Sequence, residues 1–310
     1  MLNPRVFALV SLGALAFACG TSAGSSSGFG DAGDGTSSGA SGTSGTSGLT
    51  SSGSSEAGAD GCSEAAKLVY VISDGGQLYS FKPDTLTFTK IGTIDCAGSG
   101  GAFNSMAVDR SGTAWVNAQN GNLYKVSTAD ASCQSTAYVP NQGGFGRYGM
   151  AFVSDAKGSK EETLYVAHNS DIDPGGGNGL GKIDLGTLKL TVIGDYGGSV
   201  SKKGAELTGT GDGQLFGFFT TQPATLAEID KTTAKASGFT SLASVSTGLA
   251  FAFSFWGGDF WFYTSQGAEG SNVTRLKAAT DKSLSVVKTD VGFRIVGAGV
   301  STCAPTTPPK

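Results

Sequence analysis

Apolar residues in the middle of the chain fall in short runs, each about a strand's length and each closed by Gly, Asn, Asp or Ser. Ser105-Met106-Ala107-Val108-Asp109 leads through a turn at Ser111-Gly112 to Thr113-Ala114-Trp115-Val116-Asn117. Asn120-Gly121 then leads to Asn122-Leu123-Tyr124-Lys125-Val126. Short runs bounded by turn residues predict strands. Asn-Gly between two such runs is a strong hairpin signal.

The same order of three runs recurs. Gly149-Met150-Ala151-Phe152 precedes Thr163-Leu164-Tyr165-Val166-Ala167 and Gly181-Lys182-Ile183-Asp184. Glu206-Leu207-Thr208-Gly209 precedes Gln214-Leu215-Phe216-Gly217-Phe218 and Leu226-Ala227-Glu228-Ile229-Asp230. Gly248-Leu249-Ala250-Phe251 precedes Asp259-Phe260-Trp261-Phe262-Tyr263 and Val273-Thr274-Arg275-Leu276-Lys277. A Thr- or Ser-containing turn and a fourth strand follow each third run, as in Thr187-Leu188-Lys189-Leu190-Thr191-Val192-Ile193.

At the two ends of this zone the pattern is split. Leu68-Val69-Tyr70-Val71-Ile72 and Gln77-Leu78-Tyr79-Ser80-Phe81 match second and third runs with no first run before them. Phe293-Arg294-Ile295-Val296-Gly297-Ala298-Gly299-Val300 matches a first run with nothing after it. Joined, the ends make a fifth unit. A four-stranded unit repeating every ~40–45 residues is the pattern of a β-propeller blade. A blade shared between the termini removes the last open sheet edge. From about Leu68 to Val300 the chain resembles five-bladed propellers, and its expected class is all-β. A β-sandwich is the alternative, and the regular order of runs argues against it.

Composition divides the chain further. Met1 to Arg5 precede an apolar run, Val6 to Ala18, broken only by Ser11 and Gly13. That is the form of an export signal, and it falls short of the ~20 apolar residues of a membrane-spanning helix. Ala16-Phe17-Ala18-Cys19 resembles the lipobox of bacterial lipoproteins, with Ala16 where Leu is commonest. The resemblance implies cleavage after residue 18, acylation of Cys19 and attachment to a membrane through that lipid. Gly20 in place of Asp after Cys19 implies, by similarity to lipoprotein sorting, an outer-membrane or cell-surface address rather than the inner membrane. The whole also looks like propeller lipoproteins with Gly/Ser tethers, a likeness that implies no activity.

Residues 20–61 are almost entirely Gly, Ser, Thr and Ala. They cannot bury enough apolar surface to offset their ordering entropy, so residues 19–61 read as a disordered, lipid-bearing tether with an r.m.s. span of about 35 Å. The expected division is a signal peptide over 1–18, this tether, a propeller over 62–304 and a frayed tail over 305–310.

Charge excludes one class of partner. Of the chain's 21 Lys+Arg and 25 Asp+Glu, setting aside Arg5 and the four tether acids leaves 20 against 21. Such a domain lacks the basic field that nucleic acid needs. The partners left open are a protein, a glycan or a small molecule.

Cysteines carry the clearest covalent expectation. Beyond Cys19 there are four, an even number in a chain read as exported, which favours disulfides. Cys62 and Cys303 flank the first and last strands, where ring closure brings the ends together. Cys96 and Cys133 flank the outer strands of neighbouring blades. The expected bridges are therefore Cys62–Cys303 and Cys96–Cys133. Zinc is the rival, but there is no C-x-x-C spacing and only one His.

Other chemistry is sparse. His168, close to Asp171 and Asp173, is a candidate proton relay or simply a polar residue ending a strand. Asp171, Asp173 and Asn178 fail EF-hand spacing, with Gly175 fifth and Lys182 twelfth; a less regular structural Ca²⁺ loop is left as the one candidate cofactor. Gly209 to Gly213 and Gly297 to Gly299 lack the glycine offsets and the strand–turn–helix setting of a nucleotide loop. The aromatic stretch Phe251 to Tyr263 reads as a hairpin divided at Gly257-Gly258, with Trp256 a candidate sugar- or lipid-facing residue.

The repeat register places Asn104, Arg147, Tyr148, Glu206 and Arg294 at the inner-strand mouth, where propellers usually bind ligands. A Glu206–arginine salt bridge is the simplest expectation there. Metal-dependent propeller lactonases use carboxylates and amides at such a mouth, and this chain supplies only Glu206 and Asn104. The expected function is an exported, lipid-anchored binding or scaffold module of the cell envelope. The alternative is a hydrolase or lyase acting at the channel mouth.

Overall fold

The computed structural model describes residues 61–168 and 178–308. Cys19, the tether, Asp171 and Asp173 lie outside the described residues. The strands form five four-stranded antiparallel sheets arranged as a ring, a five-bladed β-propeller.

Blade I pairs β20 (Ile295–Val300) with β1 (Val69–Ser73), followed by β2 (Gln77–Lys82) and β3 (Thr87–Thr93). Blade II holds β4 (Phe103–Val108), β5 (Thr113–Ala118), β6 (Leu123–Ser127) and β7 (Cys133–Ser135). Blade III holds β8 (Tyr148–Ser154), β9 (Glu162–His168), β10 (Leu180–Asp184) and β11 (Lys189–Gly194). Blade IV holds β12 (Ala205–Gly209), β13 (Leu215–Phe219), β14 (Ala224–Ile229) and β15 (Ala236–Leu242). Blade V holds β16 (Ala250–Trp256), β17 (Asp259–Ser265), β18 (Asn272–Leu276) and β19 (Leu284–Lys288).

The inner strands β4, β8, β12, β16 and β20 pack in that order around the axis, and β20 returns to β4. The ring closes through the last strand, with Val69 opposite Val300 and Val71 opposite Ala298. The split repeat is thus one blade, and no sheet edge is left at the chain junction.

Five apolar clusters fill the spaces between blades, one per interface. Alternation along each strand sends successive side chains to opposite faces. Both faces of a blade meet a neighbour, so the inner strands are buried almost throughout. Crowding at the axis accounts for two of the glycines. A Cβ on Gly149 would strike the Ala205 carbonyl, and one on Gly209 would strike the Phe152 carbonyl. These are backbone close approaches, which agrees with the structural reading of Gly209.

Both expected disulfides are present. Cys62–Cys303 joins the ends of the ring with its Cα atoms 5.7 Å apart, and Cys96–Cys133 joins blades I and II with a Cα separation of 5.2 Å. The expectation of a frayed tail from Pro305 is corrected at its first residues. Gly257 N donates to Pro305 O at 2.7 Å, and Pro305 and Thr306 are half-buried.

Candidate functional site

All five inner strands begin at the same end of the ring, and their first residues surround a cavity of about 200 Å³. Blade II contributes Phe103, Asn104 and Gln119; blade III contributes Arg147, just ahead of β8. Glu206 comes from blade IV and Val296 from blade I. Blade V adds Leu249, Ala250 and Phe251.

Glu206 is the acid on this lining and is only 3% exposed. Its neighbours Ala205 and Leu207 enter the core between blades III and IV, so strand alternation turns Glu206 the other way. Ser105 Oγ donates to Glu206 Oε2 at 2.8 Å. Ser105 belongs to blade II and Glu206 to blade IV, which are not neighbours in the ring, so this bond crosses the axis. Of the two residues, Glu206 lines the cavity. Burial pushes the Glu206 carboxyl up to about 8, against the smaller opposing effect of the Ser105 hydrogen bond.

Asn104 is held on the wall. Its Nδ2 donates to Asn117 Oδ1 at 3.2 Å and to Tyr148 O at 3.0 Å. Tyr148 N donates to the same Asn117 oxygen at 3.3 Å. Both amide protons of Asn104 are therefore engaged, which leaves Oδ1 as its remaining acceptor.

The structure brings Asn104, Arg147 and Glu206 together and separates the other two expected residues. Tyr148 is fully buried in the core between blades II and III, edge to face with Tyr138 at 6.3 Å. Its backbone serves the site and its ring does not. Burial holds its hydroxyl well above the usual tyrosine range. Arg294 precedes β20 and pairs with Asp74, Nη2 to Oδ2 at 2.8 Å. The expected Glu206–arginine salt bridge is thus corrected: among the described ion pairs none involves Glu206, and its hydrogen-bond partner is Ser105.

Sequence reasoning missed Ser105, Gln119, Leu249 and Val296. Ser105 follows Asn104 directly, but nothing local shows that its hydroxyl reaches across the ring. Phe251 stood in the noted aromatic stretch. Trp256, from that same stretch, lies at the opposite end of β16, where its Nε1 donates to Lys67 O at 2.9 Å.

His168 ends the second strand of blade III, buried and edge to face with Phe145 at 5.4 Å. It is not on the cavity lining. Among the described residues no group of three or more His, Cys, Asp or Glu is placed to hold a metal ion. Asn178 donates to Gly143 O at 2.6 Å.

The far end of the ring carries a half-buried carboxyl, that of Glu162. Glu162 accepts from Arg110 N at 2.8 Å and from Thr302 Oγ1 at 2.7 Å. Burial raises it to about 7, against both hydrogen bonds. Arg110 also reaches Thr302 Oγ1 at 3.1 Å and Cys62 Sγ at 3.3 Å. The chain after β20 thereby touches blades II and III, and blade V through Pro305. It crosses the end of the ring opposite the cavity.

The class defined so far is a five-bladed propeller with one small polar–apolar cavity at its open mouth. No family model matches the chain, and no curated protein matches it. Solved structures similar to it include the extracellular domain of a putative hybrid two-component system from B. thetaiotaomicron, at 16% identity and a TM-score of 0.36 over 74% of this chain and 29% of that one. The Dos1 propeller is similar at 11% identity and a TM-score of 0.40, over 77% of this chain and 72% of that one. A protein of unknown function from Bacteroides thetaiotaomicron gives 15% identity and a TM-score of 0.44, over 73% and 56%. The chain spans under a third of the first of these, and the assignment of fold stands on the five sheets themselves.

Proposed function

We infer that this protein is an exported binding module, held to a membrane through a lipid on Cys19, whose ligand enters the inner-strand mouth. The observation that carries this reading is the cavity. Every blade lends it a residue, and its wall mixes amide, guanidinium and carboxyl groups with apolar side chains. A few convergent polar groups in an apolar concavity are the usual make-up of a small-molecule site. At about 200 Å³ it lies below the ~300–1,000 Å³ typical for drug-sized ligands.

The chain enters the propeller at Gly61 and Cys62, beside Lys160 and Arg110, at the end where the inner strands finish.

The test is a fragment screen by amide NMR on the full chain carrying Cys19→Ser. Hits should move the side-chain amides of Asn104 and Gln119 and be lost in Arg147→Ala/Phe251→Ala. Hits that cluster elsewhere on the propeller refute the mouth as the site. Turnover of an ester or lactone that stops in Glu206→Gln would replace the binding reading with the hydrolase.

A further inference from the structure

Glu206 stands at the mouth as a buried acid with no base to take its proton. It is 3% exposed, Ser105 serves its Oε2, and it enters no ion pair among the described residues. Its Oε1 is bonded to nothing among those residues. Ionising a carboxyl in such a place is costly. Near neutral pH the group is held as the neutral acid, in keeping with its rise to about 8. A neutral carboxyl carries one O–H donor. Ser105 engages Oε2 as an acceptor, which leaves the proton on Oε1 to donate into the cavity.

The elements around β12 add little that titrates. β4, β13, β16 and β20 carry no acid, base or tyrosine. The Tyr148 ring of β8 lies in the core between blades II and III. On β9, Glu162 is at the far end, Tyr165 in the core between blades III and IV, and His168 against Phe145. Arg294, ahead of β20, is paired with Asp74. Arg147 shares the lining but is already engaged, and no ligand group is assigned to it.

We propose that the mouth takes a small uncharged amide with an apolar body, its carbonyl oxygen accepting the Glu206 proton, its N–H donating to Asn104 Oδ1 and its body against Phe251 and Leu249. This rests on the mouth being the ligand site. Five of the nine lining residues are apolar, namely Phe103, Leu249, Ala250, Phe251 and Val296, so a charged ligand would lose water for little return. An ammonium would also meet a donor at Glu206 where it needs an acceptor. A sugar has more hydroxyls than this lining has polar groups, and those left over would be buried unpaired. An amide brings one acceptor and one donor, the complement of the Glu206 proton and Asn104 Oδ1. Leu249, 71% exposed at the rim, gives the apolar body a surface to cover.

The experiment is calorimetric titration of the full chain carrying Cys19→Ser at about pH 6 and about pH 9, with folding checked by thermal melting. The probes are isovaleramide, methyl isovalerate (no N–H), isovalerate (anion), isoamylamine (cation) and glucose. At the lower pH isovaleramide should bind best and shift the side-chain amides of Asn104 and Gln119 by NMR. The ester should bind about tenfold more weakly, the size expected for an unmet buried acceptor. Isovaleramide should bind wild type about tenfold more weakly at the higher pH, as Glu206 ionises. Glu206→Gln keeps a donor and cannot ionise, so it should bind isovaleramide at both pH values as wild type does at the lower one. Should Glu206→Gln fail to fold, the probe ranking and the pH dependence of wild type decide. An anion, cation or sugar that binds at the mouth as well as isovaleramide overturns the amide and leaves the mouth as the binding site. Wild-type affinity that is flat with pH, or that falls equally in Glu206→Gln, overturns the role of the Glu206 proton. No response at the mouth to these probes or to any fragment overturns both readings.

Discussion

Replacing Glu206 by Gln should remove a pH dependence of stability. The carboxyl is 3% exposed and takes one hydrogen bond, from Ser105, and burial raises it from 4.5 to about 8. The folded protein therefore holds this proton more tightly than the unfolded chain does. The stability tied to it is fully present below about pH 4.5 and is lost as pH rises, until the loss levels off above about pH 8. At ~1.36 kcal/mol per pKa unit, the full swing is on the order of 5 kcal/mol. Gln has nearly the same shape, still accepts from Ser105 and cannot ionise. Urea unfolding of wild type and Glu206→Gln near pH 5, 7 and 9 measures the difference directly. Glu162 titrates in both proteins and cancels in the subtraction. Near pH 5 the two should be close in stability. Near pH 9 the variant should be the more stable by several kcal/mol. A wild-type-minus-variant difference that stays flat from about pH 5 to 9, or moves in wild type's favour as pH rises, would refute the argument that Glu206 is buried without a counter-charge.

The remaining predictions concern the ring and its anchor. Cys62→Ser/Cys303→Ser should lower unfolding stability by roughly 2–4 kcal/mol, read from the denaturant midpoint, because the bridge closes almost the whole domain into one loop. Gly209→Ala forces a methyl against the Phe152 carbonyl and should cost about 1–3 kcal/mol, seen as a lower Tm. Cys19→Ser should move the protein from the membrane fraction to the soluble one; retention through an alkaline wash would count against the lipid anchor.

Blade order was legible because it is written locally. Each hairpin carries its own turn residues, and Asn120-Gly121 between β5 and β6 is one example. The split first blade and both disulfides followed from the same repeat. The mouth was legible only in part, because side-chain direction changes with a shift of one residue. Arg147 and Tyr148 are neighbours in sequence. β8 begins at Tyr148, whose ring goes into the core between blades, while Arg147 is left at the rim. Arg294 was misplaced for another reason: its partner Asp74 lies 220 residues away and meets it only because the ring closes.

Having five blades matters to the chemistry as much as to the fold. The inner strands approach until Gly149 and Gly209 have room for no side chain against the next blade. At that spacing a serine on one blade and a glutamate two blades on can meet across the axis. That contact leaves Glu206 buried on the lining of the cavity. The opposite end is crossed by the chain at Thr302, fixed to Glu162 and Arg110 beside the Cys62–Cys303 bridge. A ligand at the strand-start end would meet that buried acid among the first residues of the inner strands.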